Sequence, residues 1–404
     1  MIKIILLIVG LMLFFSCKER EKHTITIQLL ASESLQYNQD KDIVMIDQQD
    51  FEIVPFHDMN TKIKDIYYIP FFSEEPIGIF DELILYDKYV IVLDAFLAEK
   101  VYIFDMSGNL INIIAQKGRG PEEYHGLSDI SISKNENLLA LNDRLSLNML
   151  YFTLDGQFVR KTKAAPCCNF EIYENKIINQ AAYSQSFSND LEQNYNLTVS
   201  IYDSILYKGF PYYPLQVQAV NSNCLQYNQN GELLYTPTLS DTIYAITSDS
   251  TYSVRYVVNQ KKSIWDKKDE NLTTDQYRDL IKKSKYTYLQ PPILETTNFV
   301  FYQINYGKDN NIASQSYWYD KNKKRSFKIG QLELGNKKVP NCLPYPKAIY
   351  ENYYVGIYLP HEVEEMTKLT DNKTVVFENE ELNQILQENK NKKMEFLLVM
   401  YELK

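Results

Sequence analysis

Two stretches, KVYIFDMSGNLINIIA from Lys100 to Ala115 and NMLYFTLDGQFVRKTKA from Asn148 to Ala164, share one plan: a short alternating strand, an Asp-Gly-type turn, a second strand. Their turn residues Asp105 and Asp155 stand 50 positions apart. A weaker copy, LTVSIYDSILYKGF, carries Asp203 a further 48 positions on, and SDTIYAITSDSTYSVRYVV from Ser240 is a fourth. Self-similarity at this period, with room for about four strands per repeat, is the signature of β-propeller blades.

Working outward from these repeats, each blade reads as four strands, A to D from the axis to the rim. Blade one spans Gly78 to Tyr86, Tyr89 to Asp94, Lys100 to Asp105 and Leu110 to Ala115. Blade two spans Leu127 to Ser133, Asn137 to Asp143, Asn148 to Thr153 and Gln157 to Lys163. Blades three, four and five occupy Asn169 to Gly209, Ser222 to Val258 and Pro291 to Ile329, with turn residues between short alternating runs. A sixth has strands near Leu343 to Ile349, Tyr353 to Leu359 and Met394 to Leu403, and lacks a fourth. The early segment IKDIYYIPF, Ile63 to Phe71, precedes blade one without a partner of its own, so it is expected to close the ring as that missing outer strand. The fold expected is all-β: a six-bladed propeller over residues 63–404, with four-stranded blades and short helical insertions on one face.

Composition agrees with this reading. The chain of 404 residues is 45% hydrophobic, with 33 Tyr and 19 Phe, which favours pleated, half-buried surfaces. A formal charge of −10 leaves no basic stripe to repay counterion release, so nucleic acid is not an expected partner. At the start, Lys3, the apolar run Ile4 to Phe15 and Ser16-Cys17 read as a lipoprotein signal peptide over residues 1–16. Lipidation of Cys17 would anchor the chain to the cell envelope, with an outer-membrane location and a tether over residues 17–62. In that oxidising compartment the remaining Cys167, Cys168, Cys224 and Cys342 are read mainly as small buried hydrophobes, with a disulfide between Cys168 and Cys224 as the specific alternative.

The run YYIPFFSEEPIGIFDELILYDKYVIVLD from Tyr67, then VYIFDMSG from Val101, then GRGPEEY from Gly118, resembles the six-bladed β-propeller lipoproteins of Bacteroidetes, relatives of NHL- and TolB-type propellers. The resemblance covers Ile63 to Lys404, and it implies a fold rather than an activity. Its most specific mark is similar to a Gly-x-Gly-Pro-x-Glu-Tyr signature between the first two blades.

Function is sought in the loops. Connections A to B and C to D lie on one side of a propeller and are short here, as at Asp87-Lys88 and Asp155-Gly156. Connections D to A and B to C lie on the other side, with GRGPEEY, the Ala182 to Asn194 segment and the long insertions Asn259 to Gln290 and Pro360 to Lys393. Thr273-x-x-Gln276 is a capping box, and Leu382, Ile385 and Leu386 make an apolar stripe, so two insertions read as helical. This elaborated rim is the expected binding face for a protein or glycan. Within GRGPEEY, Arg119, Glu122, Glu123, Tyr124 and His125 are the candidate ligand-binding residues; the competing reading is structural, with the glycines and Pro121 shaping a turn over a packed Tyr124. Catalytic residues, metal ligands and cofactors are not assigned. His23, His57, His125 and His361 lie outside metal-ligand spacings, and Asp94, Asp105, Asp143 and Asp155 at strand ends read as turn caps rather than a calcium site. A metal-dependent hydrolase or lyase at the axis is the alternative. Three or more axial carboxylates or amides would favour it, whereas an apolar, Tyr-lined channel would favour binding.

Overall fold

A computed structural model of the chain describes residues 33–39, 41–165, 167–180, 195–211, 223–330, 333–334, 337–338, 343–371, 380–389 and 392–404. Six antiparallel sheets form the propeller ring. Blade 1 is Glu82–Tyr86, Tyr89–Asp94, Lys100–Asp105 and Leu110–Ile114, and blade 2 is Leu127–Ser133, Leu138–Asp143, Asn148–Thr153 and Phe158–Lys163. Blade 3 is Asn169–Tyr173, Lys176–Gln180, Tyr195–Ile201 and Ser204–Pro211; blade 4 is Leu225–Tyr227, Leu233–Tyr235, Thr242–Ile246 and Thr251–Asn259. Blade 5 is Tyr288–Glu295, Phe299–Lys308, Asn311–Asp320 and Arg325–Ile329. Blade 6 is Pro346–Tyr350, Tyr353–Tyr358 and Met394–Leu403, completed by Ile63–Phe72.

Period-2 alternation explains both the strands and the core. In blade 1, Val90, Val92, Tyr102 and Phe104 face blade 6, while Ile91, Leu93, Val101 and Ile103 face blade 2. Because both faces are buried, the middle strands read as nearly continuous apolar runs such as YVIVLD. The core is therefore a set of wedges between neighbouring blades. Strand-end aspartates hold the loops: buried Asp94 accepts from the backbone N–H groups of Gly78, Ile79, Leu97 and Ala98, and Asp143 accepts from those of His125 and Gly126.

Closure follows the expected pairing, with Ile63–Phe72 antiparallel to Met394–Leu403 in a register from Leu403↔Ile63 to Met394↔Phe72. The closing strand also meets blade 1. Gly108 holds φ +86°, and a Cβ there would strike the Pro70 carbonyl, so the turn that defines the sequence repeat grips the closing strand only because it carries glycine.

Two expectations need correction. The segment read as a tether, 17–62, is part of the fold from Glu33 onward. Glu33–Ser34 adds a parallel fifth strand to blade 3, Gln36–Tyr37 and Val44–Asp47 add to blade 4, and Phe51–Val54 adds to blade 5. Between the two contacts on blade 4, the Gln39 side-chain amide takes the place of a strand: its Oε1 accepts from Val254 N at 3.1 Å and its Nε2 donates to Val254 O at 3.0 Å. The belt covers outer edges that would otherwise present open ladders. Nor is Cys168 bridged to Cys224. Cys224 Sγ is held inside the interface of blades 3 and 4, 3.4 Å from Gln180 Nε2 and 3.6 Å from Thr238 Oγ1. Cys342, Cys17, the Ala182 to Asn194 segment and the signal peptide lie outside the described residues.

Phe71 is fully buried, stacked on Phe396 at 4.4 Å between ring centroids and edge-on to Phe104 at 5.2 Å, so one side chain joins the closing strand to blades 6 and 1. Phe71→Ala is expected to cost about 3–5 kcal/mol in urea unfolding; a loss below about 1 kcal/mol would mean that this contact does not hold the seam.

Candidate functional sites on the loop face and at the axis

The loop side carries the insertions, as expected. Helix α1, Thr274–Lys282, opens with both bonds of the capping box and buries Tyr277 and Ile281 beside Leu239 and Ile264. Helices α2, Pro360–Asp371, and α3, Glu380–Glu388, join strands B and C of blade 6 and bury Val363, Met366, Leu382 and Leu386 against blades 5 and 6.

GRGPEEY is a tightly bonded turn. Gly118 N donates to Tyr124 O at 2.9 Å, Gly120 N donates to Glu123 Oε2 at 2.6 Å, and Lys161 Nζ donates to Glu123 O at 2.5 Å. Tyr124 is fully buried and its hydroxyl donates to the Glu99 carbonyl. Glu123 and Tyr124 thus shape the loop, whereas Arg119 and Glu122 project from it. His125 is half-buried, its Nε2 enclosed and without a hydrogen-bond partner among the described residues. Beside this loop, the B to C turns of blades 1 and 2 display Phe96, Leu97 and Leu145, respectively 61%, 66% and 66% exposed. The Arg144 guanidinium lies 5.6 Å from the Phe96 ring centroid and links the two turns.

The second concentration of polar chemistry is one that the sequence did not single out. Glu82, Asp129 and Asn169 each sit four residues before the end of strand A in blades 1, 2 and 3, and Glu171 lies two residues nearer its turn. Inner strands converge on the axis, so these side chains gather there although those of different blades are 40 or more positions apart in the chain. Asn223 Nδ2, at the entry to blade 4, donates across the ring to Glu82 Oε2 at 2.5 Å. Ser131 Oγ donates to Glu171 Oε2 at 2.5 Å, and Asp129 Oδ2 accepts from Phe170 N at 2.8 Å. Burial pushes all three carboxyls above the ordinary carboxylate range, and their mutual repulsion adds to the shifts of Glu82 and Asp129; Glu171 reaches about 7.

A cavity of about 340 Å³ occupies this axis, lined by Glu82, Ile84, Ile132, Glu171, Tyr227 and Ile349 among others. Its rim reaches the short A to B turns at Asp87, Lys134 and Glu351, which are exposed. Lys134 Nζ stands 3.9 Å from the Tyr227 ring centroid, and Tyr227 OH donates to Ile172 O at 2.7 Å. Lys347 is an exposed residue whose ammonium, 3.3 Å from Phe80 O, lies in the field of Glu82 and Asp81; desolvation lowers its pKa and the two acids oppose that shift. The channel thus combines carboxylates and amides with tyrosines. Among the described residues, no three His, Cys, Asp or Glu side chains are grouped to hold a metal ion.

Residues 37–397 match the family described as a domain of unknown function, DUF4934, and the chain belongs to that family. Among solved structures, a Bacteroides fragilis protein described as exported is similar at TM-score 0.67 and 18% identity, over 90% of this chain and 100% of that one. A member of the DUF4221 family from Bacteroides vulgatus is similar at TM-score 0.50 and 10% identity, over 88% of this chain and 99% of that one. At these identities the likeness concerns the fold. No curated protein matches the chain.

The axial carboxyls have a measurable consequence. Glu171 moves from an ordinary 4.5 to about 7, so the folded protein retains a proton that the unfolded chain releases, and stability falls as pH rises between those values. Glu82 and Asp129 act with the same sign. Glu171→Gln is expected to raise the melting temperature at pH 8 by on the order of 2 °C and to leave it unchanged at pH 4. A lower melting temperature at pH 8 would mean that the carboxylate is stabilised in the fold.

Proposed function

We infer that this chain is an extracytoplasmic recognition module, exported by the leader at residues 1–16, held at the outer membrane by lipid on Cys17, and docking a protein or glycan on its loop-bearing face. The observation that carries this reading is the apolar patch of Phe96, Leu97 and Leu145 at the B to C turns of blades 1 and 2. Single exposed apolar residues are ordinary, but several displayed on two turns linked by the Arg144–Phe96 contact support an interaction surface. Here the group stands on rigid supports, since Asp94 fixes the turn of Leu97 and Asp143 fixes the loop behind Leu145. A display that is already ordered loses little entropy on binding. Arg119 and Glu122 supply the polar rim.

Two measurements test it. Cys17→Ser is expected to move the protein from the membrane pellet to the soluble fraction. A triple variant, Phe96→Ser with Leu97→Ser and Leu145→Ser, is expected to keep the parent melting temperature while losing about tenfold or more in affinity for the protein or glycan that the parent selects from purified envelope fractions. Unchanged affinity would remove the loop face from the account.

A further inference from the structure

We propose that the axial cavity is a separate binding site for an organic cation with a primary alkylammonium end, the ammonium seated between Glu82 and Glu171 and the alkyl chain lying along Ile84, Ile132 and Ile349. The site faces away from the docking patch, with its rim at the short A to B turns.

The acceptors come first. Glu82 is held by Asn223, and Glu171 by Ser131 and a backbone hydrogen bond from Ile172; no second side-chain donor reaches either carboxyl among the described residues. Both side chains line the cavity, so each presents an acceptor to whatever enters. Asn223 and Ser131 fix the two carboxyls from behind, which orients them before a ligand arrives.

The protein already seats one alkylammonium nearby. Lys134 lies over the Tyr227 ring at 3.9 Å, where burial lowers its pKa and the charge of Glu171 opposes that shift. An aromatic face beside a carboxylate is a favourable environment for a desolvated ammonium. A ligand that reaches past Lys134 finds the same two elements plus Glu82. A volume of about 340 Å³ matches about eleven waters, which suits a molecule of that number of non-hydrogen atoms. A metal ion fits less well, because no three acidic or imidazole groups among the described residues are grouped to coordinate one.

The charge balance gives the site a pH signature. Around the axis stand Asp81 and Glu82 from blade 1, Asp129 and Lys134 from blade 2, Glu171 and Tyr173 from blade 3, and Tyr227 from blade 4. Blade 5 contributes Glu295, which reaches the axis through Asn228 and is paired with Lys321 and Arg255. Lys347 and Glu351 complete the ring from blade 6. Burial keeps Glu82, Asp129 and Glu171 protonated beyond the ordinary range, so an arriving cation displaces protons. Affinity then rises with pH through the transition of Glu171 near 7.

Titration calorimetry on the full-length protein in detergent tests this with four probes: 1,5-diaminopentane, a capped Gly-Lys-Gly tripeptide, 1,5-pentanediol and pentanedioate. The diamine is expected to bind one per chain, about tenfold more tightly at pH 8 than at pH 6, with proton release read from two buffers of different ionisation heat. The tripeptide distinguishes the source: binding by both cations means that a lysine side chain of a polypeptide is accepted, and binding by the diamine alone means a free small amine. Glu171→Gln, whose folding is checked by its melting curve, is expected to weaken binding about tenfold and to flatten the pH dependence. The triple variant of the loop face is expected to bind the diamine as the parent does. Silence of both cations at millimolar concentration, or equal binding of the diol or the dicarboxylate, would overturn the proposal without touching the loop-face reading.

Discussion

The pairing of Ile63–Phe72 with Met394–Leu403 is the constraint on which this structure depends. A blade cannot bury both faces by itself; each needs a neighbour on either side, and a linear array would leave its first and last blades with one apolar face in water. Sequence order leaves blade 6 with three strands of its own. Borrowing the fourth from the other end of the fold makes ring closure and blade completion one event, so the wedge between blades 6 and 1 forms only when both ends of the domain are in place. Phe71 and Phe396 sit in that wedge. The turn of blade 1 at Gly108 adds a second grip on the strand.

Closure also sets the chemistry of the axis. Six inner strands drawn into a ring bring their inward side chains within reach of one another, and in blades 1 to 3 those include three acids. Burial raises all three above the ordinary carboxylate range, mutual repulsion adds to the shifts of Glu82 and Asp129, and the two lysines nearby are offset rather than bonded to them. By contrast the acid of blade 5, Glu295, is buried yet held below the ordinary range by Lys321, Tyr256 and Arg255. The difference between the two places is the supply of donors: Glu295 has its full complement, and Glu82 and Glu171 do not.

How much of this was legible follows from the kind of signal each feature leaves. Asp105 and Asp155 with their glycines repeat at blade period, so the blades, their turns and the closing strand could be read from spacing and alternation. The belt could not, because strands of two to four residues such as Glu33–Ser34 and Phe51–Val54 show no periodicity, and the Gln39 amide that pairs with Val254 between Gln36–Tyr37 and Val44–Asp47 is invisible in a pattern of apolar residues. GRGPEEY drew attention as a motif, and the structure places Glu123 and Tyr124 within the turn and Arg119 and Glu122 on its surface. Glu82, Asp129 and Glu171 escaped because each is the single acid of its strand. The available signal was an acid four residues before the end of strand A in blades 1 and 2, with Asn169 in that place in blade 3 and Glu171 two residues on, and it acquires meaning only once the six strands are arranged around an axis.

Native-state hydrogen exchange over residues 63–72 tests the central claim most directly. If closure by this strand holds the ring, its amides exchange only through global unfolding, with the same free energy and the same denaturant dependence as the buried middle strands Tyr89–Asp94 and Leu138–Asp143. Exchange by local opening, at a free energy well below that of those strands, would contradict it and would mean that the other five blades stand without the latch.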